Sequence, residues 1–254
     1  MNILVRPTDG SAPATHADYQ DLTELRRVIR FLEADPLLRG LPVADLETLA
    51  SKLETRRYRR KQPIWEPGHA ATEVFWVRSG VLRISQFTQD GRELSIGLYA
   101  KHALVGLGAA LSEAPRTDTA VAHDDLTLYA ASASYLTSLM RSQPLLAGRI
   151  AALLASTQER LHRRMTDLVY KTAHARLASL FLDLADTFGV RDSRGTIVNL
   201  KLTHREMATL IGTTRETVSF AIVDLRKDQV IENQGKRVVI LDANALKTIA
   251  ASSG

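Results

Sequence analysis

The sequence predicts an α+β protein with three parts: an N-terminal antiparallel β-barrel of the double-stranded β-helix or jelly-roll type, a long helix, and a C-terminal winged helix-turn-helix. Three observations support this prediction. Short apolar runs alternate with turn residues between Gln62 and Ala131, as they do in all-β domains. A long apolar periodicity of helical type begins after Pro144. Two short amphipathic helices then meet at Gly212, where the chain must turn sharply.

The composition limits the classes of protein to which the chain can belong. Its 254 residues suffice for one large domain or two modest ones, and its net charge of +5 is compatible with nucleic-acid binding. Cysteine is absent, which excludes disulfide scaffolds, iron–sulfur clusters, zinc–thiolate sites and cysteine nucleophiles. No stretch resembles a signal peptide or a membrane span, so we expect a cytoplasmic protein. We predict no cofactor.

The chain divides into four predicted segments. Residues 1–21 show no period and are rich in Thr, Ser, Pro and Ala, which predicts a mobile tail. Residues 22–143 are predicted to form a sensor barrel, which is entered through two short helices. Residues 144–171 are assigned to a dimerisation helix and residues 172–254 to a DNA-binding domain. The basic run Thr55–Lys61 is interpreted as a strand edge with one solvated face rather than as a nucleic-acid patch.

Turn signals separate the predicted strands of the barrel. Gln89, Asp90 and Gly91 are typical of a hairpin turn between "VLRISQF" and "ELSIGLY". Many short strands at regular spacing predict a small sandwich or a jelly-roll barrel.

The long helix carries an apolar stripe at roughly heptad spacing, which Thr157 and Arg164 interrupt. The stripe consists of Leu146, Ile150, Leu154, Leu161 and Leu168. It indicates either a two-chain coiled coil or a helix packed on its own barrel. We favour the coiled coil, and therefore a homodimer, because helix-turn-helix proteins usually bind paired half-sites.

The helix-turn-helix is predicted from two capped helices on either side of Gly212. In "LTHREMATLIG", Thr203 is the expected N-cap and Glu206 completes a capping box. In the second helix, Thr213 and Glu216 are interpreted as another capping box. The buried sides of the two helices are predicted to be Met207, Leu210, Ile211, Val218, Ile222 and Leu225.

Arg215 is unusual in the first turn of a helix, because the helix macrodipole opposes a cation there. The second helix of a helix-turn-helix enters the DNA major groove with its N-terminal residues against the bases. Arg215 can then pair with guanine O6 and N7, and Glu216 can accept from cytosine N4. A plain surface helix with a solvated ion pair is the alternative interpretation. Downstream, "VIENQGKRVVILD" predicts a two-stranded wing, and "RDSRGTIVNLKL" upstream predicts a loop and a strand.

Barrel, long helix and winged helix-turn-helix, in that order, resemble the Crp/Fnr family of bacterial transcription regulators. The resemblance covers about Leu22 to Leu241. It rests on "FLEADPLLRGLPVADLETLA", on "EPGHAATEVFWVRSGVLRIS" and, most specifically, on "LTHREMATLIGTTRETVSFAIVDLRKDQVI". The resemblance implies a cyclic-nucleotide-binding-like barrel and a homodimer on palindromic double-stranded DNA, where RNA polymerase is recruited or blocked.

The resemblance also implies individual DNA contacts. Arg215 and Glu216 match the family's base-reading pair, and Ser219 matches another groove-facing position. Positions that contact phosphate are matched by Thr203, His204, Thr214 and Lys236. Phe220 and Val223 depart from the family, in which these positions are often basic. Phe220 either touches a thymine methyl group or packs in the core, and both interpretations stay open here.

In the cyclic-nucleotide-binding members, a Gly-Glu pair opens a short helix and an Arg-Ser or Arg-Thr pair follows. Helix N–H groups and the arginine hold the phosphate, and the glutamate accepts from the ribose hydroxyl. This chain keeps Gly106, Arg116 and Thr117 but has Leu107 in place of the glutamate. A buried ribose hydroxyl would lose its partner at a cost of ~1–3 kcal/mol. We therefore expect a regulator that does not depend on cAMP.

The role of Arg116 stays open at this point. It can bind another phosphate-containing effector, or it can pair with Glu113 or Asp118 on the surface, which we favour. The long-helix positions that would face the base are Leu161 and His162, where a cAMP binder usually has small hydroxyl residues. This second departure also argues against cAMP.

Other classes of function fit the sequence less well. An enzyme on a cupin-like barrel needs a His-x-His motif with a carboxylate, and the barrel segment has none. Haem would have to use the isolated histidines His69, His102 or His123, and no clustered metal-ligand set is visible. An interaction module whose helix-turn-helix is only structural would lack a steep salt dependence of DNA binding. We predict a non-enzymatic, DNA-binding transcription regulator.

Overall fold

The computed structural model describes residues 16–252, with side chains described from residue 23 onward. The tail predicted for residues 1–21 lies mostly outside this range, and helix α1 already begins at His16, earlier than expected. Within the described residues, two helices precede the barrel: α1 (His16–Ala34) and α2 (Val43–Lys52). Phe31 of α1 packs edge-on against Tyr129 of the barrel, with ring centroids 5.1 Å apart. The N-terminal helices therefore share a core with one face of the barrel.

Eight antiparallel strands form the barrel, as predicted. They pair in two four-stranded sheets of order β1-β8-β3-β6 and β2-β7-β4-β5, the arrangement of a jelly roll. The strands are β1 (Glu54–Tyr58), β2 (Pro63–Trp65), β3 (Glu73–Ser79), β4 (Leu82–Phe87), β5 (Glu93–Tyr99), β6 (Leu104–Val105), β7 (Thr119–Ala122) and β8 (Leu126–Ser132). A short helix, α3 (Leu107–Leu111), separates β6 from β7.

Two local predictions within the barrel are confirmed. Gly91 adopts a left-handed conformation, with φ of 79°, in the turn of the β4–β5 hairpin. Strand β1 is an edge strand that pairs with β8. Its Arg56 forms ion pairs with Glu54 at 2.7 Å and with Glu73 at 2.6 Å. The basic run is thus the solvated edge of a sheet.

The two halves of the long helix lie in different environments, one buried and one largely exposed. After α4 (Ala133–Ser142), α5 runs from Pro144 to Tyr170. Leu146 and Ile150 are buried in the core that the barrel shares with the N-terminal helices. Leu154 and Leu161 are 38% and 40% exposed. The prediction of one continuous coiled-coil stripe is therefore wrong for the first two positions, which pack on the chain's own barrel.

The C-terminal domain is a winged helix-turn-helix, as predicted. Its sheet has the order β11-β12-β10-β9. The elements are α6 (Ala173–Phe188), β9 (Gly189–Asp192), β10 (Gly195–Val198), α7 (His204–Ile211), α8 (Arg215–Lys227), β11 (Ile231–Gln234), β12 (Arg237–Ile240) and α9 (Ala243–Ala251). The loop and strand predicted after α6 are in fact the hairpin β9–β10, which pairs with the wing through β12. No helix within residues 16–252 is long and apolar enough to cross a membrane.

Candidate DNA-recognition surface and effector cleft

The turn between α7 and α8 has the predicted geometry. Gly212 ends α7 in a left-handed conformation with φ of 64°, which glycine adopts without steric strain. At the start of α7, the backbone N–H of Thr203 donates to the Glu206 carboxylate at 2.8 Å. The backbone N–H of Glu206 donates back to the Thr203 hydroxyl at 3.2 Å. The predicted capping box of α7 is therefore confirmed.

The second predicted capping box is wrong. Helix α8 begins at Arg215, and its N-cap is Thr214 rather than Thr213. The Thr214 hydroxyl accepts from the backbone N–H of Thr217 at 3.2 Å. Glu216 is therefore not needed as a capping partner, and its carboxylate stays available in the first turn of the helix.

Helix α8 presents a charged N-terminal face to solvent. Arg215 and Glu216 are both exposed, and neither side chain has an ion pair or a hydrogen bond within the described part of the chain. The opposite face holds the helix in place, because Val218, Ile222 and Leu225 are buried in the core of the domain. The helix can thus present its N-terminal side chains without disturbing its packing.

Phe220 lies on this same presented face. It is 73% exposed, and Val223, one turn further on, is 43% exposed. The structure therefore decides between the two interpretations of Phe220: the ring is not a core residue. An exposed aromatic ring beside Arg215 and Glu216 gives the surface an apolar part as well as a charged one.

The other predicted contact residues frame this face. Ser219 is half-buried, and its Oγ lies 2.8 Å from Nδ1 of His204, which connects the two helices. Thr203 and Thr214 stand at the N-termini of α7 and α8, where unpaired backbone N–H groups favour anions. Lys236 is exposed in the wing turn, next to Gly235 with φ of 62°.

Polar contacts dock the winged helix-turn-helix domain on the barrel, and no pattern in the sequence predicts them. The buried ring of His123 approaches the carbonyl of Lys201 at 3.1 Å and the Glu206 carboxylate at 3.6 Å. Burial raises the pKa of Glu206, but hydrogen bonds from Thr203 and the nearby His123 outweigh burial and hold that pKa below its usual value. The hydroxyls of Ser95 and Thr209 are 2.9 Å apart. Such pairs join residues far apart in sequence, and no local pattern marks them.

An open cleft of about 1140 Å³ lies between the barrel, α5 and α6. It includes the region where the resemblance places an effector. Its lining includes Ile96, Tyr99, Arg116, Thr117 and Leu161. The wall is apolar at Leu161, and Leu107 at the start of α3 is buried. The structure thus offers no carboxylate at the position where a ribose-binding glutamate would stand.

Arg116 is buried rather than on the surface, so the predicted surface pairing with Glu113 or Asp118 is wrong. Only 5% of the residue is exposed. Its guanidinium donates to the carbonyl of Gly106 at 2.7 Å and to the carbonyl of Glu73 at 2.5 Å. Gly106 has a φ of 83°, which favours glycine, and a Cβ atom there would lie 2.8 Å from the Arg116 Nη1 atom, so a larger residue would strain this arrangement. Thr117, the next residue, is exposed.

The three histidines considered for haem make separate contacts. His69 Nδ1 lies 3.4 Å from the backbone N–H of Glu66, and His102 Nδ1 lies 3.5 Å from the buried Asp35. His123 takes part in the domain docking described above. Among the side chains that the structure describes, residues 23–252, no three or more potential metal ligands lie together.

Family models and individual relatives point to the same kind of protein. Residues 55–143 match the cyclic nucleotide-binding domain family, and residues 175–249 match the Crp-like helix-turn-helix domain family. The chain is 29% identical over 219 residues to the cyclic AMP receptor protein of Thermus thermophilus, covering 86% of this chain and 98% of that protein. It is 26% identical over 196 residues to the global nitrogen regulator of Synechococcus elongatus, covering 76% and 88%.

Solved structures extend the similarity to the whole architecture. FixK2 from Bradyrhizobium japonicum has a TM-score of 0.71 at 22% identity, covering 80% of this chain and 99% of that one, and shows the shared fold. A CRP-family transcriptional regulator from Thermus thermophilus has a TM-score of 0.65 at 26% identity, covering 78% and 97%. The barrel, the long helix and the winged domain thus occur together in these proteins.

Proposed function

Because this chain belongs to the Crp/Fnr family of transcription regulators and carries a helix-turn-helix DNA-binding domain, we propose that it acts as a homodimer that reads a palindromic DNA site. Each subunit inserts α8 into a major groove, and the two-fold axis runs along the α5 pair. The half-sites then lie about 34 Å apart, one turn of DNA. Bound at a promoter in the cytoplasm, the dimer recruits or blocks RNA polymerase.

The exposed, unpaired Arg215 and Glu216 at the start of α8 carry this proposal. The helix dipole favours Glu216 at this end but opposes Arg215, and the fold uses neither side chain, so both are available to a ligand. Guanine offers two acceptors to the Arg215 guanidinium, and cytosine offers a donor to the Glu216 carboxylate. We therefore assign a guanine and a cytosine to each half-site.

Phosphate contacts would fix the register of α8 in the groove. Thr203 and Thr214 lie at helix N-termini, whose N–H groups and positive dipole ends favour phosphate. Lys236 extends from the wing turn, and the link from His204 to Ser219 keeps α7 and α8 in a fixed relation. These contacts position the protein, whereas Arg215, Glu216 and Phe220 specify the sequence.

The second half of α5 supports the homodimer. Four apolar side chains on one face of the helix are substantially exposed: Leu154, Leu161, Met165 and Val169. Their spacings of seven, four and four residues place them in one row along the helix. A second copy of the same helix, packed in parallel, would bury the row and relate the two DNA-binding domains by a two-fold axis.

Two observations support independence from cAMP. Leu107 offers no acceptor for a ribose hydroxyl, and the Arg116 guanidinium already donates to Gly106 and Glu73. Two of the five N–H donors of Arg116 are thus already used within the fold, and the residue is only 5% exposed. The match to the cyclic nucleotide-binding family favours a second candidate, in which a phosphate-containing effector binds at Arg116 and is needed for DNA binding.

Selection of binding sites from random double-stranded DNA tests the proposal. The purified full-length protein is used without ligand, and in parallel with cAMP and with cGMP. Enrichment of the same two-fold palindrome in every arm is the expected result. Enrichment only with a nucleotide would establish the second candidate instead. If no arm enriched a palindrome, the proposed reading of DNA would be wrong.

A further inference from the structure

Arg164 occupies a position on α5 where the apolar stripe predicts a leucine, and the half-buried guanidinium points to the chain's own domains. It donates to the carbonyl of Ile96 at 2.6 Å and to the carbonyl of Ser95 at 2.5 Å, both on strand β5. It also donates to the carbonyl of Leu210, near the end of α7. One side chain thus joins α5, the barrel and the helix-turn-helix.

The carbonyl group that Arg164 contacts on α7 lies in the last turn of that helix. The last four carbonyl groups of an α-helix have no partner within the helix, and that end carries a partial negative charge. Leu210 belongs to this last turn, and the Arg164 guanidinium supplies both the missing donor and the complementary charge. The contact lies two residues before Gly212, at the turn from which α8 departs.

The partners of Arg164 are three backbone carbonyl groups, so its side chain holds backbone segments in place. A guanidinium has five N–H donors in a rigid planar fork, so three acceptors from two elements define its position closely. The same junction holds the 2.9 Å contact of Ser95 with Thr209 and the packing of Leu168 beside Gly212. Arg164 is the cation at the centre of this junction.

We infer that Arg164 is a positioning residue that fixes the orientation of the helix-turn-helix relative to α5, and thereby the spacing of the two DNA half-sites that the dimer accepts. The inference rests on the proposed function, because spacing has meaning only for a dimer on paired half-sites. Base preference within each half-site is set by α8 itself and does not depend on Arg164.

Two measurements test the inference with the full-length chain. The variants are Arg164→Gln, the milder Arg164→Lys, and the control Arg163→Gln, which removes the same charge from an exposed neighbour on α5. In the first measurement, the selected half-sites are joined by spacers of varied length and sorted by binding. The wild type and Arg163→Gln should favour one spacer length. Arg164→Gln removes three charge-assisted hydrogen bonds, so that preference should fall by at least about tenfold, the fold-change that corresponds to the net contribution of one such bond.

The second measurement needs no DNA. The chain has no cysteine, so spin labels can be placed at Lys52→Cys and Lys227→Cys, both exposed, with labelled protein diluted in unlabelled protein. The distance distribution between α2, which packs on the barrel, and α8 should be narrow in the wild type and broad in the Arg164→Gln chain. A merely destabilising change would lower the melting temperature but leave both the spacer preference and this distribution unchanged.

The outcomes distinguish the positioning role of Arg164 from the proposed function. If Arg164→Gln and Arg164→Lys keep the narrow distribution and the single spacer, Arg164 is not a positioning residue, whatever the protein binds. If Arg164→Gln does not fold, the lysine variant decides, because one ammonium group cannot reach all three carbonyls in the same geometry. If the wild type selects no palindrome, the proposed function fails while the distance measurement still decides the role of Arg164.

Discussion

The guanidinium carbon of Arg116 lies 4.6 Å from the centroid of the Trp65 ring. The same indole donates its Nε1–H to the carboxylate of Asp118 at 2.7 Å. Arg116 therefore stacks on an aromatic ring while it donates to two backbone carbonyls, and burial lowers the pKa of its guanidinium without removing the charge. The residue that a phosphate ligand would use is part of the packing of the barrel.

Replacement of Arg116 by methionine should destabilise the protein. The change leaves the carbonyl groups of Gly106 and Glu73 without a donor, at a cost of about 1–3 kcal/mol in the free energy of unfolding. Denaturant unfolding measures this cost, and Arg60→Met, at an exposed position, is the control. An Arg116→Met protein as stable as the wild type would show that the arginine is held for a ligand rather than for the fold.

The base-reading role of Arg215 predicts a local loss of specificity. Arg215→Ala should weaken binding to the selected site by ~1–3 kcal/mol and relax the preference at one base pair. Glu216→Ala should do the same at the facing cytosine. Competition titrations with single-base variants of the site measure both effects. The control is Arg30→Ala, which removes an exposed arginine from α1. Uniform weakening across all sequences would instead place Arg215 on phosphate and would contradict the base contact assigned to Glu216.

Phe220 should recognise the methyl group of thymine. With a thymine facing the exposed ring, replacement by deoxyuridine removes one methyl group, and the wild type should lose roughly 0.8 kcal/mol of binding free energy. Phe220→Ala should bind both duplexes equally. The same variant should unfold like the wild type, because the ring is 73% exposed. A large loss of stability would instead show that the Phe220 ring packs in the core.

Because the proposed dimer buries the row of apolar residues on α5, we expect a single charge introduced into that row to dissociate the dimer. Met165→Glu places a carboxylate in the middle of the row, where the side chain is 64% exposed in the single chain. We expect sedimentation to show a monomer that binds the palindrome far more weakly than the wild type does. Leu145→Glu is the matched control, since Leu145 is 49% exposed but lies on the other side of the helix. A dimeric Met165→Glu protein would contradict the arrangement.

The stabilisation that Glu206 gives to the cap of α7, at the junction of the two domains, should be sensitive to acid. The pKa of Glu206 is below its usual value of 4.5, so its ionised form stabilises the fold above that pH. This contribution is lost as the pH falls through the lowered pKa. The stability advantage of the wild type over Glu206→Gln should therefore be complete at pH 7 and vanish in strong acid, below that lowered pKa. Glu33→Gln, at an exposed position, should show no such trend.

Local signals sufficed for much of the fold. The capping residues Thr203 and Glu206, the turn at Gly212 and the hairpin at Gly91 are specified by neighbours in sequence, and the structure has them as predicted. Thr213 was the wrong cap because two adjacent threonines offer the same chemistry, and only the helix start distinguishes them.

Long-range contacts account for most of what the sequence left open. The heptad-like stripe on α5 could not show that Leu146 and Ile150 pack on the barrel, since a partner helix and a barrel surface demand the same apolar residues. The burial of Arg116 depends on carbonyls from β3 and the start of α3. The exposure of Phe220 follows from the packing of Val218 and Ile222 on the opposite face.

The division of α5 has a consequence for how a cell could set the activity of this regulator. Leu146 and Ile150 anchor the helix in the core of its own subunit, so the helix is already formed when a partner arrives. For the proposed homodimer, association would then join two preformed surfaces and follow the law of mass action. Without an effector, such a dimer would respond to protein abundance, so synthesis and degradation would determine when its promoter site is occupied.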